Sequence, residues 1–512
     1  MEMKKIISII ALLLTLTAAG AQAQGNNDGN GSGNMPFDMP EISAPAFPER
    51  SVSVTDFGAV GNGTTLCTQA FARAMERLAA EGGGHLIVPR GIWLTEPIVM
   101  RSNTDLHLER GAVILFSPDI SLYPPVGTVF EGLNARRCQS PVSGMNLKNV
   151  AITGEGVIDG NGQRWRPLKR MKTTAGQWQE LTAVSGVTVD GGNYWFPDAG
   201  VTDADEAARL KEAFGISTDD EWRNIRHHMR PVMVSLVSCR NVWLQGVTFR
   251  NSPSWNIHPL MCENVLIDNI TVQNPEYAQN GDGLDLESCR NAVVRNSTFD
   301  VGDDGICIKS GKDADGRRRG RPCENVVIEG CTVFKGHGGF VIGSEMSGGV
   351  RNILARNCTF MGTDTGLRFK STRGRGGTVE RIFIDGIAMT GIKGDAVVFD
   401  LYYGNKARTT VNSRGETVPA PVAPAPVDET TPAFRDIHIS NTTCTGAKRA
   451  LFFNGIPEMP VRNITLENVG ITAEQGARLV YSEDITLKNV SIRQSRGKRL
   501  ETFFCKDITE KP

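Results

Sequence analysis

Six ionisable side chains set the chemistry this sequence can do. Asp282 lies in NGDGLD, Asp303 and Asp304 in GDDG, His337 in GHGG, and Arg368 and Lys370 in LRFK, each cluster interrupting a run of apolar and β-branched residues. The clusters succeed one another at roughly 20 to 35 residues, the length that one coil of a solenoid consumes, so residues distant in sequence stack in one column. Adjacent parallel strands lie about 4.8 Å apart, which brings Asp282 close to the Asp303 and Asp304 pair, with His337 one coil on and the two cations beyond. Three carboxylates so close cannot all ionise at their ordinary pKa; at least one is expected to be pushed up and stay protonated. A protonated carboxyl beside an ionised one suits glycosidic bond cleavage, the first protonating the leaving oxygen and the second deprotonating water. Arg368 and Lys370 are then expected to face a carboxylate on the substrate, as cations near the surface. Singly, GDG or DDG is a common turn and LRFK a solvated strand face; six complementary groups on consecutive coils carry the reading.

A column of this kind needs a regular scaffold, and the sequence contains one. NVAITGEGVIDG begins at Asn149, and the same pattern of Asn, alternating aliphatic and polar residues, then Asn or Gly returns at Asn241, Asn264, Asn291, Asn325 and Asn352. Degenerate copies follow near Arg381 and Asp436, with clearer ones at Asn463 and Asp484. Alternation indicates strands with one buried face, and the interval suits two or three short strands with turns per coil. The expected fold is an all-β, right-handed parallel β-helix in which the recurring Asn side chains stack. Ahead of it, Phe71, Ala74, Met75 and Leu78 share one face of a helix expected near Gln69 to Ala80, a cap for the open end of the solenoid. The segments HLIVP, DLHLE and AVILF read as the first strands.

The 512 residues form one long domain over residues 50–508, because a solenoid grows lengthwise without splitting its core. Insertions are expected at about 161–230 and 404–433. The first holds Trp165, Trp178, Trp195 and Trp222, and reads equally as a wall of the binding face or a packed satellite; STDD before Glu221 resembles a capping box opening a short helix. MEMKK, an apolar run and AQAQ read as a secretory signal peptide over residues 1–23, followed by a flexible lead-in at 24–49, so a periplasmic or extracellular location is expected, with no membrane span afterwards. A net charge of −1 argues against general nucleic-acid binding. Eleven Cys is an odd number at low density, and Cys239, Cys262, Cys289 and Cys323 each stand two residues before a repeat Asn, as stacked buried thiols would.

At these clusters the chain resembles glycoside hydrolase family 28, the polygalacturonases, whose motifs Asn-Thr-Asp, Asp-Asp, Gly-His-Gly and Arg-Ile-Lys match Asn280 with Asp282, Asp303 with Asp304, Gly336 to Gly338, and Arg368 with Lys370. Gly281 replaces the family's Thr, and Phe369 its Ile. DFGAVGNGTT and GGGHLIVPRGIWL also look like the family's opening. The resemblance implies an inverting hydrolase of α-1,4-linked galacturonic acid in pectin, needing no cofactor or metal and acting as a monomer. It makes Asp303 the general acid, its pKa then expected to be raised by repulsion from Asp282 and Asp304, with Asp282 and Asp304 handling water, His337 tuning the acid or holding substrate, and Asn280, Arg368 and Lys370 binding substrate. PSWNIHP, IKSGKDADGR and VIGSEMSGG look like the exo-acting branch, and make His258, Lys309 and Glu345 further candidate substrate contacts. Rival readings are a galacturonidase acting on rhamnogalacturonan, a Ca²⁺-dependent pectate lyase using the clustered Asp, and a non-catalytic β-helix adhesin.

Overall fold

In the computed structural model, residues 35–184, 186–197 and 229–512 are described. The expected signal peptide, the first part of the lead-in, Trp222 and the helix after STDD lie outside them. The domain over Phe37–Pro512 is a right-handed parallel β-helix.

Three parallel ladders run along it. The first holds the repeat strands, among them Arg240–Gln245, Glu263–Asp268, Arg290–Arg295, Cys323–Glu329 and Val350–Arg356. Register is kept because side chains of one kind stack inward: Val265 pairs with Ala292, then Val326, Ile353, Ile382, Ile437, Ile464 and Ile485. A one-residue slip would turn that apolar row to solvent. In the second ladder Phe249, Val272, Phe299, Val333 and Phe360 alternate large and small on successive coils, all buried. The third ladder carries the site.

The recurring Asn does what its position suggests. Asn241, Asn264, Asn291, Asn325 and Asn352 all hold positive φ, and each donates its amide to the preceding Asn Oδ1 at 2.8 to 3.2 Å, starting from Asn149. Asn tolerates the left-handed region, and its amide donates and accepts at once, so one residue type both turns the chain and joins the coils. Arg381 and Asp436 keep the same backbone conformation, which explains why the repeat survives there without Asn.

The capping helix spans Thr68–Ala80 with Phe71, Ala74, Met75 and Leu78 buried. The far end is closed differently, by strands that run on through their corners, Val461–Val480 and Ser482–Phe503, and by a charged edge strand, Lys506–Lys511. All eleven Cys are free thiols; Cys262 Sγ lies 3.1 Å from Leu236 O, one coil back. No helix among the described residues is long and apolar enough to cross a membrane.

The described part of the first insertion has two pieces. Trp165 packs edge-on against Tyr123 in a separate small core, and Leu168–Lys169, Val187–Val189 and Tyr194–Phe196 form a three-stranded antiparallel sheet. The second insertion holds a hairpin of Thr409–Val411 with Thr417–Pro419.

Candidate active site

Strands Leu284–Glu287, Asp304–Lys309, Gly338–Ile342 and Leu367–Lys370 lie side by side in the third ladder, with Asp285 opposite Cys307, Asp304 opposite Gly338, and Val341 opposite Arg368. Leu284, Leu286, Ile306, Ile308, Phe340 and Phe369 fill the core. Their alternation turns the polar residues between them outward. Asp282 and Asp303 sit in the turns just before their strands. Gly336, at φ 76°, needs the left-handed region, and a Cβ there would come 2.4 Å from Asp303 O. The two departures from the family motifs also have local causes. A Cβ at Gly281 would lie 2.7 Å from that of Ala278, so the family's Thr has no room, while Phe369 points inward and stacks on Phe399 at 4.3 Å.

Asp282, Asp303 and Asp304 each present an oxygen, and these lie within 4.8 Å of one another. One water can bridge such oxygens, since a hydrogen bond spans about 2.6–3.2 Å. The spacing alone does not set the stereochemistry: it is nearer the ~5–5.5 Å usual in retaining glycosidases than the ~6.5–9.5 Å usual in inverting ones.

Each carboxylate has its own partners. Lys370 Nζ donates to Asp304 Oδ2 at 2.6 Å, and Arg368 Nη1 to Asp304 Oδ1 at 3.2 Å. Burial would raise the Asp304 pKa, but Lys370 and Arg368 override it and hold the carboxyl well below its usual range. His337 Nδ1 lies 2.9 Å from Asp303 Oδ1. Burial again pushes upward, and the His337 hydrogen bond outweighs it, so Asp303 is lowered. Asp282 is raised well above normal, by burial first and then by Asp285 and Asp303. The repulsion expected at Asp303 therefore falls on Asp282, the member of the trio with the weakest cationic contact, Lys309 Nζ at 3.8 Å.

The expectation for Arg368 and Lys370 is also corrected. Lys370 is 7 % exposed and Arg368 half-buried, and both are paired with Asp304, so neither is a free surface cation. Both Asp304 oxygens already accept from a cation, Oδ2 from Lys370 and Oδ1 from Arg368, so calcium at the three carboxylates would compete with one of them, which argues against the lyase reading.

Sequence reasoning missed Asp285 and Glu287 beneath the trio, and the three candidate substrate contacts His258, Lys309 and Glu345 are found there paired with protein groups. Asp285, fully buried, makes an ion pair with Lys309 at 2.9 Å, and burial pushes its carboxyl up to about 6 despite that ammonium. Lys309 Nζ also lies 3.5 Å above the Trp255 ring and 4.0 Å from Glu345 Oε2. Burial would lower the Lys309 pKa, but Asp285 and Glu345 raise it, so it stays charged. His258, 1 % exposed, bonds Glu287 at 2.9 Å, and Arg319 completes that buried set at 2.6 Å. His258 thus braces the floor. Asn280 Oδ1 accepts from Arg230 at 2.9 Å. Asp285 and Glu287 alternate with Leu284 and Leu286, a signal that was readable as an outward acidic pair.

A hairpin of Pro125–Phe130 and Leu133–Cys138 packs on Trp255 and on the loop at Lys312. Phe130 stacks on Trp255 at 4.8 Å, and Gly132 O accepts from Lys312 N at 3.1 Å, in the loop after the Asp304–Lys309 strand. The profile of glycosyl hydrolases family 28 matches residues 220–496, over half of the chain and all six motif residues. The chain belongs to this family. It is 31 % identical over 450 residues to a probable polygalacturonase of Vitis vinifera, covering 86 % of this chain and 78 % of the relative. It is 29 % identical over 415 residues to an exo-poly-alpha-D-galacturonosidase of Dickeya chrysanthemi, covering 79 % of this chain and 64 % of the relative. Among solved structures, a hyperthermoactive exopolygalacturonase from Thermotoga maritima superposes with a TM-score of 0.74 at 34 % identity, covering 90 % of this chain and 95 % of that one.

Proposed function

We propose that the protein is an exo-acting polygalacturonase that hydrolyses α-1,4-linked galacturonic acid at one end of a pectic chain, with inversion. The observation that carries the reading is the carboxylate trio, with oxygens within 4.8 Å; we read the hairpin packed on Trp255 and Lys312 as a wall at one end of its cleft. A chain end fits against such a wall; a chain interior would have to pass through it. The related exo-acting enzymes agree with this.

At rest the proton of the trio lies on Asp282, whose pKa is raised, while Asp303 is lowered. In the reactive form that proton has moved to Asp303, whose oxygen lies within 4.8 Å, and Asp303, hydrogen-bonded to His337, gives it to the leaving oxygen as the C1–O bond breaks. Water held between Asp282 and Asp304 attacks C1. Asp304, pinned as an anion, orients the water; Asp282, ionised once its proton has passed to Asp303, takes the water's proton, which restores the resting state. A direct attack by Asp304 is disfavoured because both its oxygens are engaged by cations. Both remaining roles then go to water, which is the inverting arrangement. A uronate entering the site competes for Arg368 and Lys370, which eases their hold on Asp304 and couples binding to its charge.

The signal peptide motif supports export to the periplasm or beyond, and nothing in the scheme requires a second subunit. Product profiles on homogalacturonan and rhamnogalacturonan oligosaccharides test the substrate. Cleavage of the former with the latter intact is expected; the reverse would move the activity to rhamnogalacturonan.

A further inference from the structure

The first insertion sends one cation to the trio that none of the family motifs contains. Arg166 ties the insertion to the coil, its buried guanidinium donating to Ser252 O at 2.5 Å and Asn251 Oδ1 at 3.0 Å. The chain then forms a short strand paired with Tyr194 and Trp195, and a single turn at Arg170–Lys172. That turn is held on both sides. Arg170 N donates to Asn193 O at 2.9 Å, and a capping box at Thr174 starts the following helix. Its last residue, Lys172, reaches the backbone carbonyl of Gly302 at 3.2 Å, immediately before Asp303.

Lys172 differs from the other cations of the site in what it is bonded to. Lys309 is committed to Asp285, and Lys370 and Arg368 to Asp304. Lys172 is half-buried, and among the described residues Gly302 O is its hydrogen-bond acceptor and no carboxylate lies within 4.0 Å. An ammonium has three donors, so two are left for another acceptor near Asp303. Burial lowers its pKa, opposed by Asp303, Asp282 and Asp364 nearby. A charge kept half-buried without an anionic partner is costly, which is reasonable where a ligand supplies the anion.

We infer that Lys172 is a specificity-determining residue that binds a uronate carboxylate of the substrate beside Asp303, giving this chain a recognition cation outside its conserved motifs. The inference rests on the galacturonan reading above. It makes the insertion part of the binding site, with Trp165 and Arg166 as its anchor.

The test is steady-state kinetics on trigalacturonate with the wild type, Lys172→Met, Lys172→Arg and Lys172→Glu, each checked for its melting midpoint. Loss of a charge-assisted hydrogen bond should raise KM on the order of tenfold in Lys172→Met, with kcat changed by less than about threefold. Lys172→Arg should stay near wild type, and Lys172→Glu should raise KM further. An unchanged KM in Lys172→Met overturns the inference. So does a fall in kcat alone, which would place the lysine on Asp303, or a melting midpoint that falls in step with activity, which would make it structural. A wild-type protein that releases no uronic acid from any galacturonan sinks the functional reading along with it; an active wild type with an indifferent Lys172→Met sinks the lysine alone.

Discussion

Replacing Lys370 by Met removes the ammonium that Asp304 depends on. The pair is 2.6 Å apart, with the side chains 8 % and 3 % exposed, so little solvent replaces the lost charge. Removing one partner of a buried pair costs about 3–5 kcal/mol, and Arg368, still 3.2 Å from the other oxygen, keeps the loss near the lower figure, about 3 kcal/mol at pH 7. The pH dependence has a defined sign. Wild-type Asp304 has its folded pKa depressed, so its contribution is complete above the ordinary carboxylate range and fades as pH falls through that range toward the folded value. In Lys370→Met burial acts with less opposition, Asp304 rises, and its protonation relieves the variant at mildly acid pH. Urea unfolding followed by tryptophan fluorescence should therefore show a gap between the two proteins that is widest near pH 7 and narrows on acidification. Wild-type stability at pH 7, or a gap independent of pH, would refute the account of Asp304.

Asp303→Asn should lose far more activity on oligogalacturonate than on an aryl galacturonide, whose leaving group needs little protonation, whereas Asp282→Asn and Asp304→Asn should depress both; selective rescue of Asp304→Asn would move the acid role there. Asn291→Ala breaks two links of the amide ladder and puts Ala at φ 60°, at a cost of about 2–4 kcal/mol in chemical denaturation, of which Asn291→Gly should recover about 1. An Ala variant as stable as wild type would remove the ladder from the account.

What was legible in the sequence is what repeats. The Asn at each corner, the alternating aliphatic residues and the six motif residues recur by coil, and periodicity alone aligned them in one column. Charge partnership did not follow from that alignment. Lys370 looked like a surface cation because LRFK shows only alternation; its burial against Asp304 comes from two coils of stacking and from Tyr403, whose ring lies 5.1 Å from the ammonium. Asp303 looked like the raised carboxyl because repulsion can be read from spacing, while the His337 contact that reverses it depends on side-chain direction. Features built by chain leaving the repeat were hardest to read. The hairpin over Trp255 and the turn carrying Lys172 meet the site from segments 110 or more residues before Asp303, with no periodicity to reveal their destination.

The central claim, that a water held by the aspartate trio cleaves galacturonate from a chain end, is tested most directly by proton NMR of polygalacturonate in the first moments of digestion. The account predicts free galacturonate as the first product, released as the β anomer before mutarotation. Release of the α anomer, a spread of longer oligomers at early time, or vinyl signals of an unsaturated product would contradict it.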